Sequence, residues 1–212
     1  SISEPDFMPS KPNQIYQPRV LKQIDACVRA IRKKTKFKPD FCCVLGTGLG
    51  SLAKQVKPVA VFDYSKLPHF PATTVRSHRG QLVLGELEGR NVAMLEGRFH
   101  LYEGYSAEEV VFPVRVCRFL GASSLIVTNA SGGLNPAYQL GELVAIQDHI
   151  NFLGVNPLTG PNDDRVGPRF PDMSEPYARD YLKTVCRAAK SLKLDLRSEE
   201  HTSELQSLTN LV

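Results

Sequence analysis

The run FCCVLGTGLGS, residues 41 to 51, opens with five consecutive apolar residues and then turns abruptly to glycine. A strand with one wet face alternates polar and apolar positions, whereas an unbroken apolar run of this length fits a strand buried on both faces. Such a strand needs a covering layer on each side of its sheet. The run therefore predicts an α/β domain built on a mixed central β-sheet flanked by helices. The glycines at 46, 48 and 50 free the backbone of Thr47 to Gly50 to approach a ligand. The loop's N–H groups, with the Thr47 hydroxyl, can donate to phosphate oxygens. The spacing is neither the dinucleotide G-x-G-x-x-G nor a P-loop ending in lysine, which argues against nicotinamide and ATP. A plain strand-to-helix turn explains the glycines equally well.

Working outward, Pro18 can open a helix whose apolar residues Val20, Leu21, Ile24, Cys27, Val28 and Ile31 recur at helical spacing. Residues 82–95 read as two strands around a turn at Glu88 to Asn91. SAEE, from Ser106, is a capping-box start for a helix that runs to Gly121 and contains Pro113. SLIVTNA, 124–130, reads as a second buried strand, running into Ser131-Gly132-Gly133, and LVAIQDHI, 143–150, as a further strand. A long Gly, Pro and Asp-rich loop covers 156–171; loops of that length usually carry function. Ser174 is the expected cap of a last helix through Tyr181, Leu182, Val185, Cys186 and Ala189, ending near Leu196. Ligands collect at the carboxyl ends of strands in such sheets. Three loops fall there: GTGLGS, GRFHLYEG and NASGG.

GRFHLYEG, residues 97–104, is the most chemically loaded of the three. In an extended chain Arg98, His100 and Tyr102 point one way while Phe99 and Leu101 point the other. One face enters a core and the other can hold an anion, with a guanidinium fork and an imidazole as donors. NASGG leaves backbone donors accessible beside it, although a turn is the competing reading. His78 is a possible second imidazole in the site. His149, beside Asp148 and continuing a strand, reads as structural.

The 212 residues, 42% hydrophobic and 23% charged with a net charge of +4, form ordinary globular composition, sufficient for one substantial domain. The basic run from Arg32 to Lys38 reads as a solvated helix end, and without interleaved aromatics it does not suggest nucleic-acid binding. No apolar stretch spans a bilayer and the N-terminus lacks signal-peptide character, so a cytoplasmic location is expected. Five cysteines, Cys27, Cys42, Cys43, Cys117 and Cys186, lie in apolar segments away from metal-ligand spacing, as buried thiols of a reducing compartment do.

Together GTGLG, FPATTV-x-x-H, GRFHLYEGY, FPVRV, TNASGGLNP, DHIN, GPNDDR and RFPDMS resemble, in order and separation, the trimeric class of purine nucleoside phosphorylases. The similarity runs from about Phe41 to Tyr177. It implies a pentosyltransferase of purine salvage, a homotrimer with neither metal nor cofactor, that uses inorganic phosphate as co-substrate. It splits purine (deoxy)ribonucleosides into free base and (deoxy)ribose 1-phosphate. By motif position it implies phosphate contacts at Thr47, Arg98, His100 and Ala130, with His78 nearby. Arg98, His100 and Glu103 become the catalytic set, Glu103 orienting His100. Tyr102 is implied at the ribose, and Phe170 at the sugar pocket of the neighbouring subunit.

Departures from the family pattern bear on activity. Threonine stands at 47 where serine is common, SHRG at 77–80 where GHAG is common, and Ser131 follows Ala130. The family's base-reading glutamate and asparagine belong to a C-terminal third without a counterpart here, so the expected fold is incomplete at the C-terminus. Residues 1–196 read as a partial nucleoside phosphorylase domain. Residues 197–212 read as a non-family tail in which RSEEHTSELQS resembles a translated adapter oligonucleotide. Two alternatives stand beside the phosphorylase reading: a catalytically inactive phosphate-binding fragment or trimer partner, and a methylthioadenosine phosphorylase, which RFH and NASGG fit less well.

Overall fold

The computed structural model describes residues 19–46, 48–71 and 80–199; the expected phosphate ligands Thr47 and His78 lie outside the described residues. Its centre is a five-stranded sheet in the order β2-β3-β4-β1-β5. Strand β1 (Phe41–Val44) runs parallel to both neighbours, β4 (Arg90–Glu96) and β5 (Ser124–Val127), with Phe41 opposite Val92 on one side and Ser124 on the other. β3 (Gln81–Leu87) pairs antiparallel with β4 and with β2 (Lys57–Asp63), so the sheet is mixed. The β3–β4 hairpin closes at Glu88 and Gly89, both at positive φ (48° and 71°), which suits the right-handed twist of paired strands.

Alternate residues of the central strands feed two cores. On one face Cys42, Val44, Leu84 and Leu95 pack with helix α1 (Arg19–Arg32) through Ile24 and Ile31, and with helix α3 (Ala107–Leu120) through Val116 and Leu120. On the other, Cys43, Leu45, Val83 and Met94 meet Ala53 of the short helix α2 (Gly50–Ala53) and Val56. The apolar run at 41–45 is thus buried from both sides, as its composition requires. Helix α3 starts at a capping box, Ser106 Oγ accepting from the Glu109 N–H (3.3 Å) while Glu109 accepts from the Ser106 N–H (2.8 Å), and it continues through Pro113.

β2 is absent from the predicted elements; its apolar run from Pro58 to Phe62 lies on an edge strand, with Val59 and Val61 exposed and Phe62 buried. β5 stops at Val127 rather than 130 and is an edge strand of the described sheet, only partly buried, with Ile126 46% exposed. β6 (Leu143–Ile146) does not join the main sheet but pairs parallel with β7 (Leu196–Glu199), and His149 lies beyond its end. Helix α4 (Arg179–Ser191) begins five residues after Ser174, whose N–H and Oγ both bond the Asp172 carboxylate (2.9 and 2.7 Å) in a local turn. No helix of the described residues is long and apolar enough to cross a membrane.

Candidate functional site

β4 ends at Glu96, and the chain then delivers Arg98, Phe99 and His100 in sequence. Phe99 is 1% exposed in the core, so its neighbours Arg98 and His100 are turned to the opposite side. The buried Tyr64 hydroxyl donates to the Gly97 carbonyl (2.9 Å) and anchors this segment just before the arginine. At His100 the backbone is still extended (φ −127°, ψ 150°), but Leu101–Glu103 coils into a 3-10 turn that Gly104 ends at φ 93°, a left-handed conformation that suits glycine. The turn breaks the expected alternation and brings Glu103 back against His100.

The resulting contacts form a chain. Glu103 Oε1 accepts from the His100 backbone N–H (3.1 Å) and from His100 Nδ1 (2.6 Å), with the two side chains 6% and 7% exposed. Arg98 Nε donates to His100 Nε2 at 3.1 Å. An arginine nitrogen can only donate, so Nε2 presents a lone pair and the ring proton resides on Nδ1, facing the carboxylate. Arg98 Nη1 donates to the Thr128 carbonyl at 2.5 Å. Two of the five guanidinium N–H groups are engaged in these bonds, and among the described residues the other three meet no acceptor and could serve an oxyanion. Partial burial of Arg98 pulls its pKa below the ordinary arginine value, an effect opposed by Tyr102 nearby. The guanidinium nevertheless remains cationic at neutral pH.

Of the residues expected in the site, Arg98, His100, Glu103 and Tyr102 come together. Tyr102 lies stacked on the His100 ring, centroids 4.6 Å apart at 17°, and is 69% exposed, leaving its other face open. Ala130 is exposed two residues beyond Thr128, on a segment tethered to Arg98 through the Thr128 carbonyl. Phe170 is 87% exposed on the 156–171 loop, with the Arg169 guanidinium 5.8 Å from its ring centre. His149 packs edge-on against Tyr177 (5.7 Å, 75°). The sequence pattern singles out neither Thr128 nor Tyr64; a hydroxyl residue at a strand end directly before asparagine is the available signal for the first. Among the described residues no group of three or more His, Cys, Asp or Glu side chains could hold a metal ion.

Residues 40–200 match the model of the phosphorylase superfamily. A purine nucleoside phosphorylase of Mus musculus is 47% identical over 171 residues, 79% of this chain and 59% of that protein. Purine nucleoside phosphorylase 1 of Bacillus subtilis is 45% identical over 181 residues, covering 85% and 67%. A crystal structure of isoform 2 of purine nucleoside phosphorylase from Schistosoma mansoni, in complex with cytosine and ribose-1-phosphate, superposes with a TM-score of 0.78 at 37% identity, covering 84% of this chain and 64% of that one. The chain belongs to the purine nucleoside phosphorylase family of that superfamily. It spans 59% of the mouse relative's length.

Proposed function

We propose that the fold serves the phosphorolysis of purine (deoxy)ribonucleosides to free base and (deoxy)ribose 1-phosphate, a step of purine salvage. The hydrogen-bonded series Glu103–His100–Arg98–Thr128 carries this reading, because it fixes a half-buried guanidinium at the strand ends with donors to spare. In the reaction the C1′–N bond breaks and its electron pair leaves with the base, whose nitrogen takes up the proton that the phosphate gives up. A phosphate oxygen then forms the C1′–O bond. As the bond lengthens the sugar becomes cationic, and an inorganic phosphate held beside C1′ both stabilises that charge and stands in line to attack. Arg98 would hold the phosphate rather than take a proton, and Ala130 N–H, Thr47 and His78 would complete the cradle. Glu103 fixes the His100 ring. Tyr102, stacked and exposed, has a free face for the ribose.

An 87% exposed phenylalanine supports Phe170 reaching the sugar pocket of a neighbouring copy, as in a homotrimer. The alternative reading is a phosphate-binding chain without turnover. Assay of hypoxanthine release from inosine plus phosphate separates the two. Phosphate-dependent release that Arg98→Ala lowers by about a hundredfold supports the first reading. Phosphate binding without release supports the second. Preference for methylthioadenosine over inosine would assign the sibling activity instead.

A further inference from the structure

The three site loops meet at one residue. Thr128, the first residue after β5, bonds its N–H to the Val44 carbonyl (3.1 Å) at the end of β1, extending the parallel ladder by one step. Its hydroxyl accepts from the Gly46 N–H (2.8 Å), the first glycine of the GTGLG loop, and donates to the same Val44 carbonyl (3.0 Å). Its carbonyl takes the Arg98 Nη1 donor at 2.5 Å. Asn129 and Ala130 follow it directly. A hydroxyl with its single proton given to Val44 and a lone pair given to Gly46 has its orientation set. The approach is close enough that a Cβ on residue 46 would lie 2.7 Å from the Thr128 carbonyl oxygen.

We infer that Thr128 is the positioning residue of the anion site: its hydroxyl locks the glycine loop, and its carbonyl aims Arg98, so that the two act on one phosphate. The inference rests on the phosphate-site reading above and assigns Thr128 no contact with the ion. Valine has nearly the shape of threonine but neither donates nor accepts. Thr128→Val would leave the Gly46 N–H unpaired beside the carbonyl that fixes Arg98. Serine keeps the hydroxyl.

The test titrates inorganic phosphate calorimetrically into the full chain and its Arg98→Ala, Thr128→Val, Thr128→Ala and Thr128→Ser variants, and follows amide exchange at Gly46 by NMR in each. The expected result is a phosphate Kd about tenfold or more weaker in Thr128→Val, recovery to within about threefold in Thr128→Ser, and Gly46 exchange accelerated in Val but not in Ser. General destabilisation would not be repaired by the serine hydroxyl in this selective way. Should the valine variant fail to fold, the alanine variant supplies the same comparison with serine. Equal phosphate affinity and equal Gly46 exchange in wild type, Val and Ala, with Arg98→Ala still deficient, overturns the role of Thr128 and leaves the phosphate site standing. If Arg98→Ala binds as wild type does, the phosphate-site reading fails, and with it the inference, whatever the exchange at Gly46.

Discussion

At the scale of single residues, Glu103 and His100 are the informative pair. Both side chains are almost wholly buried, and the carboxylate serves two donors of the same histidine. Glu103→Ala leaves both donors without that acceptor and is expected to cost about 2 kcal/mol of stability. Glu103→Gln retains an acceptor oxygen and should cost less. Urea denaturation of the two variants measures the difference; equal losses would show that the carboxylate's hydrogen bonds are not what matters. The thiols give a pH test. Burial raises the Cys27 pKa to about 12 and that of Cys43 to about 11, from an ordinary value near 9. A hydrogen bond with Cys117 raises Cys42 well above the usual thiol range, with burial adding to it. A raised folded pKa means that the folded chain holds its proton more tightly than the unfolded one. This contribution is complete below about pH 9 and is lost as pH climbs through 11 to 12, so urea midpoints should fall on the alkaline side. At pH 8 a disulfide reagent should titrate exposed Cys186 rapidly and the four buried thiols only on unfolding.

At the scale of elements, local rules make separable predictions. Ser106→Ala removes one half of the capping box of α3 and should cost about 1 kcal/mol, visible in the urea midpoint. Gly46→Ala places its Cβ against the backbone of Thr128 and Asn129, which cannot yield as a flexible side chain does, so a loss of about 2 kcal/mol is expected together with weakened phosphate binding. A neutral Gly46→Ala would mean that the loops are not held as closely as described. The elements that could be read from sequence are those whose burial follows a single period: β1 as an unbroken apolar run, α1 at helical spacing, the β3–β4 hairpin and the capped α3. β2 escaped because an edge strand buries few of its side chains, and the start of α4 because Ser174 spends its hydroxyl on Asp172 instead of a helix end. In the site, the shared face of Arg98 and His100 was legible from alternation. The 3-10 turn that folds Glu103 under His100 is closed by bonds three residues apart and by Gly104, and it interrupts the alternation from which the face is read; the convergence on Thr128 joins residues 82 positions apart.

At the scale of the whole molecule, the sheet is well covered at β1, β3 and β4 and thin at β5. Ile126 on that edge strand is 46% exposed, and Tyr181 and Val185 of α4 are 49% and 47% exposed, although α4 is strongly amphipathic. Exposed edges and apolar faces invite association. Sedimentation velocity should therefore show concentration-dependent self-association of the chain, reduced by Ile126→Lys; an unchanged sedimentation coefficient across concentrations would refute this. On the proposed reading, the turns after β1, β4 and β5 hold one inorganic phosphate between them. A crystal structure of the chain grown with phosphate tests it most directly. The expected result is a single phosphate within about 3 Å of the Arg98 guanidinium and the Ala130 N–H. A phosphate bound only elsewhere, as in the cleft lined by Lys33, Lys34 and Lys66, would contradict it.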